Sequence, residues 1–469
     1  MPRLTSACDS LAPAWNVMTS RVRKFLFVSF VVLFFLLAAV ILPYAFGFEL
    51  NFSGMKLQRT GMFDIKTTPS GAVIYLNGKK QTSWLGQLSG RDMAATTPLK
   101  LKNVTPGTYQ VRLELAGYWP WTKQLVVSPG ATTYLEDVYF FKKIQPTLLA
   151  PLAAEEINAV AVAPHHKYAA VLTKTALQIF SLDKAQPPQV ITVPQNTASV
   201  LSWSPSQQKI AAGRLIIDRR DQSLVNLKDF GIGAINRLAW ASDDLIYFQT
   251  DNQIKSLDLK NSKLVVADFP KNVIDFKINN GYLYLIYDGS QPRLSIVKLN
   301  DNQFKESTAI KLKDYERYRF IDLGAGNINL QEVASKKLYT LSNKFPWLND
   351  YAVKEIGALT VGQWVGSDKL IFGNNFELSL WTSDADRAKL LTRISHPITA
   401  LAWHKSNNYV IFATDTSINT LELDDRYTYN ISTLLESSKI VYPIFNRDGS
   451  GVLFWTKLDQ KGGFYFLEI

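Results

Sequence analysis

The sequence predicts an all-β chain carried behind one N-terminal transmembrane helix, with most of its length in a β-propeller. Three observations predict it. One phrase recurs: LSWSPSQQKIAAG from Leu201 to Gly213, LAWASDDLIYFQT from Leu238 to Thr250, and LAWHKSNNYVIFAT from Leu401 to Thr414. Aromatic residues make up 12% of the 469 residues, and such side chains suit a pleated, half-buried surface. An uncharged apolar stretch, FLFVSFVVLFFLLAAVIL, fills positions 25 to 42.

The helix comes first. The apolar run and the residues to Phe48 together reach the roughly 20 residues that a bilayer core requires. Arg21, Arg23 and Lys24 precede it, and the first charge after it is Glu49. Positive residues stay on the cytoplasmic side, so residues 1–24 form a cytoplasmic tail, residues 25–48 the membrane span, and the rest lies outside. A cleaved signal peptide has a shorter apolar core, about 7–15 residues, and a small-residue cleavage site. Here the run is longer and ends in LPYAFGF, so the segment reads as an uncleaved anchor. The single cysteine, Cys8, then lies in the reducing compartment, and no intramolecular disulfide or cysteine-based metal site can form.

Residues 60–141 read as a small β-domain. Phe63 and Ile65 mark a strand, Pro69-Ser70-Gly71 a turn, and Val73 to Leu76 a second strand. Asn77-Gly78 supplies the positive-φ pair of a tight hairpin. Tyr109, Val111, Leu113 and Leu115 then alternate with polar residues, as in a strand with one buried face. The stretches TTPSGAVIYLNG, TTPLKLKNVTPGTYQVRLELAGYWPW and VVSPG together resemble the PEGA domain, over roughly 75 residues. The family tetrapeptide stands here as Pro69-Ser70-Gly71-Ala72, with Ser in place of Glu; the segment 81–95 is longer than the simplest form. The resemblance implies a small β-sandwich-like, extracytoplasmic interaction module of bacterial and archaeal envelopes, without catalytic residues. Trp119 and Trp121 flank Pro120 and are the candidate binding residues, as an aromatic platform for sugars or a partner. Their spacing places both on one face, where packing is the competing role.

From residue 143 to 469 the chain is repetitive. Strand starts fall near 157, 199, 235, 273, 318, 359, 398 and 440. Each is followed by a polar turn, an apolar strand such as DLIYFQT or YVIFATD, a third strand such as ELSLWTS, and often a fourth. Four short antiparallel strands per roughly 40 residues is the pattern of a propeller blade, which buries its faces only against neighbouring blades. The Trp of the repeated phrase is expected between blades. WSPSQQKIAA resembles the WSPDGKKIAF phrase of TolB-type and WD40-like propellers, and Asp448-Gly449 keeps the turn of that phrase best. Eight starts give eight blades; seven is the alternative, because the copy at 318–357 is degenerate. The last copy stops after its third strand, and KIQPTLLAP (143–151) is expected to supply its fourth.

Motifs of chemistry are scarce. His165, His396 and His404 fall near equivalent turns of different repeats, which puts them on rims of the ring; His166 adjoins His165, and none has metal-ligand spacing. There is no nucleophile elbow, Walker loop or dinucleotide fingerprint. The carboxylate pairs Asp243-Asp244, Asp384/Asp386 and Asp424-Asp425 sit in turn contexts, where Asp serves the backbone. No cofactor or metal is implied. The net charge of +11 is scattered and forms no basic stripe, so nucleic acid is not expected.

Two readings follow. The first is a binding and scaffold protein of the prokaryotic cell envelope, anchored in the membrane, engaging an envelope protein or cell-wall polymer and not an enzyme. The second is a propeller-type glycan hydrolase or lyase, which needs two carboxylates from different blades converging in a cleft.

Overall fold

The computed structural model describes residues 20–45, 48–51, 56–83, 93–195, 197, 200–250, 253–266, 272–299, 306–313, 316–324, 326–341, 353–385 and 387–469. The tail with Cys8, Asp386 and most of the long insertion after Thr82 lie outside them. One helix, Ser20–Ala45, is long and apolar enough to cross a membrane. It begins before the apolar run, which it contains in full. Arg21, Arg23 and Lys24 form its first turn, because these residues have good helix propensity and their long stems follow the helix.

The chain divides into two compact units. The first is Met1–Leu113 with Gln124–Val138, and the second is Glu114–Lys123 with Tyr139–Ile469. By this division residues 114–123 and 139–142 fall in the second unit.

In the smaller unit one sheet has the order Leu99–Val104, Gly61–Thr68, Thr132–Tyr139. The other has the order Lys79–Lys80, Val73–Leu76, Gly107–Glu114, Trp121–Val127. Phe63, Ile65, Ile74, Val111, Leu113 and Leu135 are almost fully buried. The alternation read at Val111 and Leu113 is the core-facing side of its strand, while Leu115 lies beyond the strand end. Asn77 and Gly78, at φ 49° and 78°, close the hairpin between Leu76 and Lys79 as their types require.

The larger unit holds eight four-stranded antiparallel sheets, blades 1 to 8, among the described residues. Blade 1 spans 157–192, blade 2 201–226, blade 3 237–266 and blade 4 273–311. Blade 5 spans 318–358, blade 6 361–393, blade 7 398–436 and blade 8 441–468. The first strands of successive blades touch one another, which places them innermost. Blade 8 has only three strands of its own, and Thr147–Pro151 pairs with Lys461–Glu468 as the fourth. The degenerate fifth copy still forms a complete sheet, so the blade count is eight.

The core is a set of inter-blade layers. Leu172, Ile179 and Ile210 pack between blades 1 and 2. Val171, Phe180, Leu453 and Phe464 pack between blades 8 and 1 and close the ring. Equivalent apolar clusters fill every interface in between. The indole of the repeated phrase sits in these layers: Trp203 and Trp240 are buried against the preceding blade, as is Trp364 of blade 6, and Trp403 is partly buried against the layer between blades 6 and 7. The Trp203 indole N–H donates to the Ala161 carbonyl of blade 1 at 3.1 Å. That of Trp364 donates to Asn329 of blade 5 at 3.2 Å.

Candidate functional site at the mouth of the ring

One turn is written repeatedly between the first and second strands. In blades 1, 2, 7 and 8 it begins at Ala163, Ser204, His404 and Asn446. In each, the first residue's N–H bonds the carbonyl five residues on, and the fourth residue's N–H bonds back to the first. That fourth position is left-handed every time: His166 (φ 54°), Gln207 (64°), Asn407 (63°) and Gly449 (68°). Glycine or asparagine takes this conformation most readily. At Gly449 a Cβ would also fall 2.9 Å from the Trp403 carbonyl oxygen, so the Asp448-Gly449 turn of blade 8 lies directly on blade 7.

The first position explains His404. Ser204 and Asn446 use their side-chain oxygens to accept Lys209 N–H (3.0 Å) and Gly451 N–H (3.1 Å). His404 caps the same turn through Nδ1, against Ser406 Oγ at 2.8 Å and Ser406 N–H at 3.3 Å. The ring is fully buried, edge-on to Tyr139 and Phe141. Burial, seconded by the Lys405 charge, pushes its pKa down to about 4, so it is neutral at pH 7. Among the described residues Nε2 has no hydrogen-bond partner, and the ring lies among aromatic side chains. It is a packed residue of the turn that Ser204 opens in blade 2.

The turns of blades 1, 7 and 8, with those of blades 5 and 6, surround a cavity of about 940 Å³ at one mouth of the ring. His165, His166 and His404 line it; His396 lies at the opposite rim, 3.0 Å from Asp415. His166 Nδ1 is 3.1 Å from the Phe445 carbonyl, while His165 is exposed, with φ 63°. Lys167, Lys405 and Arg447, from blades 1, 7 and 8, are exposed on one wall. Among the described residues none of the three has a carboxylate in ion-pair reach. Two carboxylates share that wall. Asp448 is occupied by its own turn, accepting Ser450 Oγ at 2.6 Å and Ser450 N–H at 3.1 Å, and Asp183 is open. The partly buried Trp403 indole and Gln363 complete the floor, with the Gln363 side-chain oxygen accepting the backbone N–H of Trp403 at 2.7 Å.

The tryptophans singled out in the sequence do not form an open platform. Trp121 is buried, at 4% exposure, and its indole N–H donates to Glu422 at 3.1 Å. Trp119 is half-buried against the layer between blades 7 and 8, with the Lys143 ammonium 5.1 Å above its ring. Around Glu422 lies a buried ionic group that sequence reading missed. The Lys123 ammonium is 3.2 Å from Asp424 and 3.7 Å from Glu422, and Arg426 bonds Asp424 at 2.8 Å. Burial raises the Glu422 pKa, opposed by Lys123 and Trp121. Burial pushes Asp424 upward as well, but Arg426 and Lys123 together hold it below the usual carboxylate range. The signal available was Lys123 at an inward position of an alternating strand, two residues from Trp121.

Among the described residues no group of three or more His, Cys, Asp or Glu side chains could hold a metal ion. Of the paired carboxylates, Asp243 accepts the Ser206 N–H at 3.1 Å and Asp244 pairs with Lys209 at 2.6 Å. Asp425 pairs with Lys389 at 2.7 Å, and the partner proposed for Asp384 is outside the described residues.

The strand pairing of the larger unit defines a β-propeller. Comparison with family models then identifies residues 60–138 as a PEGA domain. A search of curated proteins found no match. Among solved structures, the Dos1 propeller is 14% identical, with TM-score 0.49, over 68% of this chain and 94% of that one. Hsv2 of Kluyveromyces lactis is 13% identical, with TM-score 0.44, over 59% and 97% respectively.

Proposed function

We propose that the protein is a membrane-anchored binding and scaffold protein of the prokaryotic cell envelope. The tail before the helix lies in the cytoplasm, and the PEGA domain and propeller lie outside, engaging an envelope protein or cell-wall polymer. The observation that carries the reading is the open mouth of the ring, a ligand-sized space whose exposed cations, Lys167, Lys405 and Arg447, form no ion pair among the described residues. Arg21, Arg23 and Lys24 at the start of the apolar helix support the orientation. A purely binding role fits the two carboxylates of the mouth, one of which is committed to its own turn.

Two measurements test the reading. In the full-length chain, Cys8→Ser with Lys174→Cys adds a lone thiol at an exposed turn of blade 1. An impermeant maleimide should label it in intact cells and leave native Cys8 untouched. Cross-linking of intact cells, together with co-sedimentation of the full-length protein with cell-wall sacculi, should then give a specific envelope partner or polymer. Labelling of Cys8 instead would reverse the orientation; absence of both partner and polymer would sink the binding role.

A further inference from the structure

We propose that the mouth of the ring over blades 7, 8 and 1 docks an acidic polypeptide segment, with Lys405, Arg447 and Lys167 receiving its carboxylates. This rests on the propeller's being a binding module, and it assigns the face and the chemistry of the partner.

Charge on this end of the ring is unevenly used. The carboxylates of its turns on blades 3 and 5 are neutralised in place: Asp244 by Lys209, and Asp322 by Lys277 at 3.7 Å. Asp243 is taken up by the Ser206 N–H. The cations on blades 7, 8 and 1 are left over. They come from three consecutive blades through the same turn, Lys405 and Arg447 at its second position and Lys167 at its fifth. Among the described residues the one open carboxylate in the cavity wall is Asp183, since Asp448 is held by Ser450.

Nothing in the turn requires a cation at these positions. Blade 2 builds the same geometry with Pro205 and Gln208 in their places. Unpaired cations around a concave site focus a field that attracts anionic partners, and carboxylates are bound best by charge-assisted hydrogen bonds. A polypeptide suits the site better than an acidic glycan. Sugar recognition favours an open aromatic face, and neither indole of the lining offers one: Trp364 is buried with its N–H donated to Asn329, and Trp403 is partly buried with its indole N–H donated to Asn407 at 3.3 Å. Spaced point charges at the rim match carboxylates carried on separate side chains.

The test uses the full-length protein in nanodiscs of uncharged lipid and a fluorescent poly-glutamate peptide, followed by anisotropy. The peptide should bind, more weakly as salt rises. The triple variant Lys167→Ala/Lys405→Ala/Arg447→Ala should lose roughly tenfold or more in affinity. Its circular dichroism and unfolding midpoint should not change, because all three side chains are exposed. Lys174→Ala/Lys457→Ala, removing exposed cations elsewhere, should bind as the native chain does. Equal binding by the triple variant overturns the proposal, as does tighter binding of an oligogalacturonate than of the peptide. The envelope cross-linking separates this from the broader reading. A partner captured equally by native and triple-variant protein leaves the binding role standing and removes this face from it; no partner at all removes both.

Discussion

His404 shows how much one side chain depends on its place in the ring. It occupies a turn position that serine fills in blade 2 and asparagine in blade 8, yet only the histidine is packed against Tyr139 and Phe141. Folded, it titrates near 4; unfolded, near 6.5. As pH falls from about 6.5 toward 4, the unfolded chain takes up the proton first. The stability from the neutral ring is complete above about 6.5 and lost on the way down, on the order of 3 kcal/mol in all. His404→Asn keeps the cap and removes the titration. Urea unfolding of the full-length chain at pH 4.5 and 7.5 should show a smaller difference for the variant; an unchanged difference would place the pH dependence elsewhere.

At the scale of elements, the segment Glu114–Lys123 is held by charge as well as by packing. Lys123 meets Glu422, which lies on the third strand of blade 7, and Asp424 just beyond it. Lys123→Met would leave Glu422 buried without its cation, at a cost of about 3 kcal/mol. Glu422 has a raised folded pKa, so it is protonated in both states below about 4.5. Stability is lost as pH rises through the folded value, and loss of the ammonium enlarges that effect. Denaturant unfolding at pH 5 and pH 8 should therefore show the Lys123→Met defect growing with pH. Glu422→Gln in the same background should recover part of it. A defect independent of pH, or no recovery, would mean that the alkyl stem of Lys123 matters and its charge does not.

For the whole molecule the decisive contact is ring closure. Thr147–Pro151 precedes blade 1 in the chain but completes blade 8. Ala150 is buried there, and Gly463 opposite has no room for a Cβ against the Ala150 carbonyl. Ala150→Asp would bury an unpaired charge at this seam. Since each blade is stable only between two neighbours, the change should lower the unfolding midpoint of the whole ring. Hydrogen exchange should quicken first in Gly451–Leu458 and Lys461–Glu468. Exchange that quickens equally in all blades would mean that the ring opens only as a unit.

Much of this fold was written locally. The repeated Trp strand, the left-handed turn residue and the two-residue alternation each fix a piece of backbone within a few positions, so eight blades and the closing strand were readable from spacing. The apolar run fixed a helix for the same reason. The candidate site was legible only in part. The rim histidines were visible as turn residues, and the sequence separated them from any metal spacing. Which of them share a mouth, and which lie at the opposite rim, depends on the sense of each strand around a closed ring. Trp121 read as either a surface platform or a packed residue, because nothing near it in sequence reveals Glu422, 301 positions away. Lys167, Lys405 and Arg447 read as scattered charge, because they become neighbours only when blades 7, 8 and 1 are brought side by side. Periodicity determines what each blade is; closure of the ring decides which side chains meet.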